Sequence, residues 1–501
     1  MIYRNPSASN AFLRKDWRGS PFIFSMDKTV VSAVLLFGTV VSVGMASSAS
    51  KQDKPVIPAD LYYEFKAVPA GDNAIINWRR AAEVEAALSD KESQSLKFCW
   101  TPGAKKPSSG ELNDLSGWLH RDRDALKLFN DSLKKPKAQW PERDPQNLQP
   151  ELAGFSRLIK ARLFEADQLA DLGKFEQSIK ILEENLKLAQ LGVEGDAQFL
   201  HYLVSSRART ITQDAVLRLA CRKQVPVSLL KTLLNSLHGL DSETNVYGRV
   251  LRVEFANDYN DSLDLKKLAD DWSRMSGTNA ALFLSFYPDD LQKAFRVLLD
   301  PSLVPFHPKP YDANEEIEKS IRHYRIYRTN SLTPWTERDN EVELEHADDH
   351  TNLLHDIAPL MELVKDESLP LNRQAAQKAR PAYLQIENPI GRIFDTSVIH
   401  FIVSDLKVCQ IRTEREATRA CLALIIFERQ KGRLPATLSD LVQQKILDSV
   451  PIDPFCGEPL HYSREKREVW SISDNGVDDN GESGKLRWFE KDAVWQIPEL
   501  N

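Results

Sequence analysis

The sharpest hydrophobic pattern in the chain lies between Arg412 and Lys431. Ala417, Ala420, Cys421, Leu424 and Phe427 recur at three- and four-residue spacing, which predicts one buried face of an α-helix. Leu422, Ile425 and Ile426 widen the stripe, so the helix is expected to be covered on more than one side. Gly432 stands where a helix C-cap belongs, and Pro435 where the helix cannot continue. Thr437 or Ser439 is placed to cap a short second helix with Leu438, Leu441 and Val442 facing inward. Pro451, Pro454, Gly457 and Pro459 then fix a rigid connection. Leu460–Tyr462 and Glu468–Ile472 read as two strands, followed by an acidic loop from Ser473.

Upstream, the periodicity is helical throughout. The motif from Asp72 opens a helix with Asp72 or Asn73 as cap, residues 101 to 111 read as a Pro/Ser/Gly loop, and Trp118–Leu133 as the next helix. Residues 152 to 191 form a helical hairpin. Ala161, Phe164, Ala166 and Leu169 mark its first helix, Gly173-Lys174-Phe175 its turn, and Ile179, Leu182, Leu186 and Leu188 its second. The positions of Gly173, Phe175, Ser178, Ile179, Leu182 and Leu186 resemble one tetratricopeptide repeat; a plain hairpin of a bundle is the other reading. Further helices are expected over 199–219, 227–237, 245–259, 291–299, 314–329 and 349–366. The acidic run 341–350 between the last two reads as a solvated stretch. The turn Asn388-Pro389-Ile390-Gly391 starts a long helix that runs on into the 412–431 stripe.

Near the start, Thr29–Ser50 carries no charge and follows Arg4, Arg14, Lys15, Arg18 and Lys28. That order of basic and apolar segments predicts a signal peptide or a single membrane-spanning helix, with translation starting at Met1 or Met26. The expected location is the cell envelope, either membrane-anchored facing the periplasm or exported after cleavage. The divisions that follow are 1–50 as signal or anchor, 51–71 as linker, 72–385 as an α-helical domain, and 386–501 as a long helix plus a small α+β module.

Charge and chemistry change this picture only in places. A net charge of -7 over 501 residues gives no general attraction to nucleic acid. Cys99, Cys221, Cys409, Cys421 and Cys456 are odd in number and form no CxxC pair. GxSxG, Walker A and HExxH are missing, and His120-Arg121-Asp122 lacks the companions of a kinase catalytic loop. His346 and His350, four apart with Asp349 between them and His355 beyond, are spaced to share a metal on one helix face. The acidic loop is the better candidate for a cation. Asp474, Asn475, Asp478 and Asp479 gather hard oxygens within a few residues, and Gly476 and Gly481 allow tight turning. The spacing is not that of an EF-hand, and an ordinary Asp/Asn/Gly hairpin loop satisfies the same pattern.

Three turns together carry a resemblance: Gly432-Arg433-Leu434-Pro435, then Asp453-Pro454-Phe455-Cys456-Gly457-Glu458-Pro459, then Asn475-Gly476. Their order after an amphipathic helix resembles the C-terminal half of the type II secretion major pseudopilins. The likeness covers roughly 70 of 501 residues. Leu434 stands where that family has an aromatic, Asn475 where it has Asp, and its prepilin start does not precede this helix. The resemblance implies a short antiparallel sheet closed by a calcium loop, with Asp474, Asn475, Asp478 and Asp479 as the metal-site residues. More loosely, the whole chain resembles large exported proteins of environmental bacteria that bring no assigned activity. The expectation is a mainly α protein of helical hairpins, in a bundle or short solenoid, serving as a non-catalytic envelope scaffold with a protein partner. A hydrolase built on His346, His350 and Asp349, or an accessory component of a secretion apparatus, are the alternatives.

Overall fold

The computed structural model describes residues 56–85, 90–101, 105–140, 150–238, 243–270, 289–363, 371–392, 399–484, 487–488, 490–497 and 499. The Thr29–Ser50 segment lies outside them. Among the described residues no helix is long and apolar enough to cross a membrane. The fold is mainly helical, with a small three-stranded sheet at the C-terminal end.

The helices are α1 Ala74–Val84, α2 Asp90–Ser95, α3 Ser109–Arg121, α4 Arg123–Asp131, α5 Pro150–Asp171, α6 Phe175–Leu191, α7 Phe199–Ala220 and α8 Val227–His238. There follow α9 Glu243–Asp270, α10 Asp289–Leu298, α11 Ala313–Asn330, α12 Glu341–Leu363, α13 Arg373–Tyr383, α14 Ile399–Lys431 and α15 Ser439–Gln443. Strands β1 His461–Ser463, β2 Glu468–Ser471 and β3 Ala493–Gln496 form an antiparallel sheet in the order β1-β2-β3. Val469 pairs with Tyr462 on one side and Trp495 on the other.

Local chemistry sets the boundaries. Asn73 caps α1, its Oδ1 accepting from the Ile75 N–H at 3.0 Å, as expected. A capping box between Ser108 and Glu111 starts α3 inside what reads as a loop, and Asp122 breaks the expected Trp118–Leu133 helix into α3 and α4. Gly173, at φ +70°, makes the α5–α6 turn, where a side chain would strain the left-handed backbone. The acidic run 341–350 is the first part of α12. Its Glu345 is held by Arg322 of α11, so ion pairing across helices supports the helix there. Neither Thr437 nor Ser439 caps α15. The helix has no side-chain cap; Asp440 Oδ2 instead accepts from the N–H groups of Ala436 (2.9 Å) and Thr437 (3.1 Å), which tightens the turn leading into it.

Packing is continuous from the early helices into the sheet. Trp78 of α1 lies 4.5 Å from the Phe155 ring and 5.6 Å from that of Trp140, and its Nε1–H donates to Ser132 Oγ at 2.8 Å. α5, α6 and α7 stack in turn, and α7 and α8 both rest on α14. The opposite side of α14 receives β2 and β3. One apolar cluster therefore runs from Trp78 through Leu182 and Leu230 to Leu424, Val469 and Trp495. The broad stripe on α14 is explained: residues Ala417 to Ile426 are buried on both flanks, polar Thr418 and Arg419 included. A second cluster, rich in tyrosine, joins α7, α9 and α11 through Tyr202, Tyr247, Phe255, Tyr324 and Tyr327.

Candidate functional site

The site region begins at Asp453, whose side chain is wholly buried. Its Oδ1 accepts from the Phe455 N–H (3.0 Å) and Ser471 Oγ (2.9 Å), and its Oδ2 from the Ile472 N–H (3.0 Å). One carboxylate thus fastens the proline-rich turn to the end of β2, where the acidic loop departs. Burial pushes its pKa up, and those three donors pull against the rise. Gly457, at φ +79°, sits against Pro334; an added Cβ would lie 2.9 Å from Pro334 Cγ. The segment around Trp335 docks here, its N–H donating to Pro454 O and that of Thr336 to Phe455 O.

The loop from Ser473 to Asp492 turns through left-handed backbone at Ser473, Gly476, Asn480, Gly481 and Glu490. Asp478 Oδ1 accepts from Trp470 Nε1 (3.0 Å) and the Asn480 N–H (2.9 Å), and its Oδ2 lies 3.5 Å from His461 Nδ1. Burial works against the charged form, yet these donors hold Asp478 below the usual carboxylate range. His461 stacks on Trp470 at 5.3 Å, so one acid, one imidazole and one indole are locked together across β1 and β2. Asn475 donates to Asp479 Oδ2 (3.0 Å) and accepts from the Val477 N–H (3.0 Å). Asp474 is half-buried at the loop's entrance. Lys466 reaches over to donate to Asn480 O at 2.6 Å.

The residue that sequence reasoning missed is Asp492, at the far end of the loop. It is 0% exposed; its Oδ2 accepts from the Gly481 N–H at 2.8 Å, and its Oδ1 is buried without a hydrogen-bond partner. Burial raises its pKa, and the charges of Asp478 and Asp479 add to the effect. Its signal in sequence was an acid immediately before the alternating Ala493–Gln496 strand, itself unread. The four loop residues and Asp492 offer hard oxygens of the kind calcium takes, and Asp492 Oδ1 is buried without a close hydrogen bond. Asn475 Oδ1 and Asp478 Oδ1 already accept hydrogen bonds within the loop, while Asp478 Oδ2 faces His461 at 3.5 Å. Among the described residues no group of three or more His, Cys, Asp or Glu side chains is assembled as a metal site.

Of the histidine candidate, Asp349 accepts a hydrogen bond from Lys319 Nζ at 2.6 Å, and the His346 and His350 side chains lie outside the described residues. None of the five cysteines is in a disulfide. Burial pushes Cys221 to about 11 and Cys409 and Cys421 to about 12, which keeps these three as thiols at neutral pH. Comparison with family models, with curated proteins and with solved structures gave no match.

Proposed function

We propose that the chain is a non-catalytic, envelope-associated scaffold. Its C-terminal α+β module, of the major pseudopilin kind, is stiffened by calcium at the acidic hairpin, and its helical part engages a protein partner. Thr29–Ser50 brings it to the envelope, as a cleaved signal or a retained anchor. The observation that carries the calcium reading is the orphaned, buried Oδ1 of Asp492 beside Asp478 and Asp479. A divalent cation there would offset three neighbouring acids, with Asp474 and Asn475 adding oxygens. Bound calcium would hold the β2–β3 connection closed; it has no chemical step to perform. The sheet's packing on α14, which itself supports α7 and α8, supports a scaffold role, because stiffening the hairpin would stiffen the surface of the whole body.

Thermal melting of the full chain in calcium and in chelator tests this. Calcium at a hundred times its Kd should add about 2.7 kcal/mol, seen as a raised Tm. Asp478→Ala and Asp492→Asn should each abolish the rise. Equal melting in calcium and chelator would overturn the calcium reading. Recovery of no specific partner from an envelope fraction would overturn the scaffold.

A further inference from the structure

Residues 56–68 carry no helix or strand, yet they are laid along the helical body as a strap. Leu61 is wholly buried in the tyrosine-rich cluster of α7, α9 and α11, and Ile57 packs against the same cluster. On one side of Leu61, the Asp60 carboxylate accepts both arms of the Arg325 fork of α11 at 3.0 Å. Arg328, almost one turn further along that helix, donates to Asp60 O at 2.9 Å. On the other side, Tyr63 OH lies 2.7 Å from Asp196 Oδ1 and 2.9 Å from Gly195 O, in the α6–α7 connection. Gln139 then holds the strap's backbone, accepting from the Val68 N–H at 2.7 Å and donating to Lys66 O at 3.1 Å. Tyr62 and Phe65 remain exposed. Side-chain recognition therefore falls on Asp60, Leu61 and Tyr63.

We propose that the groove under this strap, between α11 and the α6–α7 connection, is the partner-binding surface of the helical body. Its ligand is an extended peptide of the pattern Asp-Leu-x-Tyr, and the strap is an internal competitor that fills the groove in the partner's absence. The chemistry of the occupant defines that of the ligand. Arg325 and Arg328 take a carboxylate and the carbonyl of the same residue; a lysine there would meet two guanidinium groups. The apolar socket takes leucine, and a charge placed in it would be buried unpaired. Asp196 and Gly195 O take a hydroxyl, so phenylalanine in place of tyrosine leaves them without that donor. Gln139 takes backbone and is indifferent to sequence. The strap can yield because its ionic clasp is open to water, Arg325 at 52% and Asp60 at 39% exposed, which leaves Leu61 as the main hold. Tethered to α1 by residues 69–73, it competes at an effective concentration on the order of millimolar. A free peptide binds only the opened fraction, so its apparent affinity falls in proportion. The proposal rests on the reading that the helical part engages a protein partner, and it needs no calcium.

Fluorescence anisotropy tests it, with a labelled synthetic peptide of residues 56–68 titrated with the full chain. The full-chain variant Asp60→Ala/Leu61→Ala, whose own strap is weakened, should bind the peptide on the order of a hundred-fold more tightly than wild type. Tyr63→Phe, a milder loosening, should fall between the two. Adding Arg325→Ala to the double variant should weaken binding on the order of ten-fold, and a peptide carrying Leu61→Asp should not bind. Equal affinity for wild type and the loosened variants would overturn the proposal. So would a Leu61→Asp peptide that binds like its parent, or a wild-type chain that sediments as a dimer held by exchanged straps and dissociated by Leu61→Ala. A partner still recovered from the envelope fraction while the peptide fails to bind would overturn the groove and leave the scaffold standing.

Discussion

Arg467 and Glu428 form a bidentate pair, Nη1 to Oε1 at 2.8 Å and Nη2 to Oε2 at 2.9 Å. The arginine sits in the β1–β2 turn and the glutamate on the last turns of α14, so the pair fixes the sheet's rotation on its supporting helix. Arg467 Nε also donates to Ile497 O at 3.1 Å, just beyond β3. Three segments of the module converge on one guanidinium.

Breaking that pair should loosen the sheet without unfolding the upstream helices. Both side chains are less than a quarter exposed, at 24% and 15%. Glu428→Ala is expected to cost about 2 kcal/mol, and a double-mutant cycle with Arg467→Ala to show coupling of about 1–2 kcal/mol. Urea denaturation measures both; additive losses would remove the pair from the account of how the sheet docks.

Asp453 should matter more. Asp453→Ala leaves the Phe455 and Ile472 amides and the Ser471 hydroxyl without their acceptor, in a buried place. A loss of about 3–4 kcal/mol is expected, against about 1 kcal/mol for Ser471→Ala. Equal midpoints for the two variants in a denaturant titration would contradict the hub arrangement.

Arg429 caps a helix other than its own. Its guanidinium donates to Ala220 O (2.7 Å) and Arg222 O (2.6 Å), and also to Val225 O, at the C-terminal end of α7. A lysine carries the charge and lacks the fork that reaches several carbonyls at once. Arg429→Lys should therefore lower stability by about 1–2 kcal/mol, and Arg429→Leu by more. Amide exchange at residues 217–222 would rise in step.

Acid should weaken the α11–α12 contact through Glu345. Burial opposes its ionisation, yet hydrogen bonds from Arg322 and His323 lower its pKa from 4.5 to about 2. A carboxylate lowered in the fold contributes stability that is complete above its unfolded value. That contribution drains away as pH falls from about 4.5 through about 2. Glu345→Gln is expected to cost about 2 kcal/mol at pH 7 and little at pH 2, a difference read by melting at the two pH values. A constant cost across that range would separate Glu345 from the acid response.

Much of the helical architecture was legible because burial is periodic. The Ala417–Phe427 stripe, the Gly173 turn and the Asn73 cap are each local signals, and each appears where the pattern placed it. The failures have separate physical causes. Residues 341–350 look solvated because they are acidic, while Lys319 and Arg322, 30 and 23 residues from their partners Asp349 and Glu345, supply the opposite charge. Ala493–Gln496 is a strand of four residues whose register is set by β2, and nothing within it announces pairing. Asp492 is a single acid outside any motif; what marks it is burial and the company of other acids, which only the tertiary structure supplies.

The double burial of α14 also sets an order of assembly. Its residues stand about two hundred positions after the α7 carbonyls that Arg429 caps. While the chain is being made, α7 and α8 must wait with their apolar faces uncovered until the last fifth of the polypeptide has emerged. Contacts of such long range form slowly, because the intervening chain must be closed first. A truncation anywhere before α14 would remove the wall on which the earlier helices close, leaving an adhesive intermediate in place of a shorter version of the same protein.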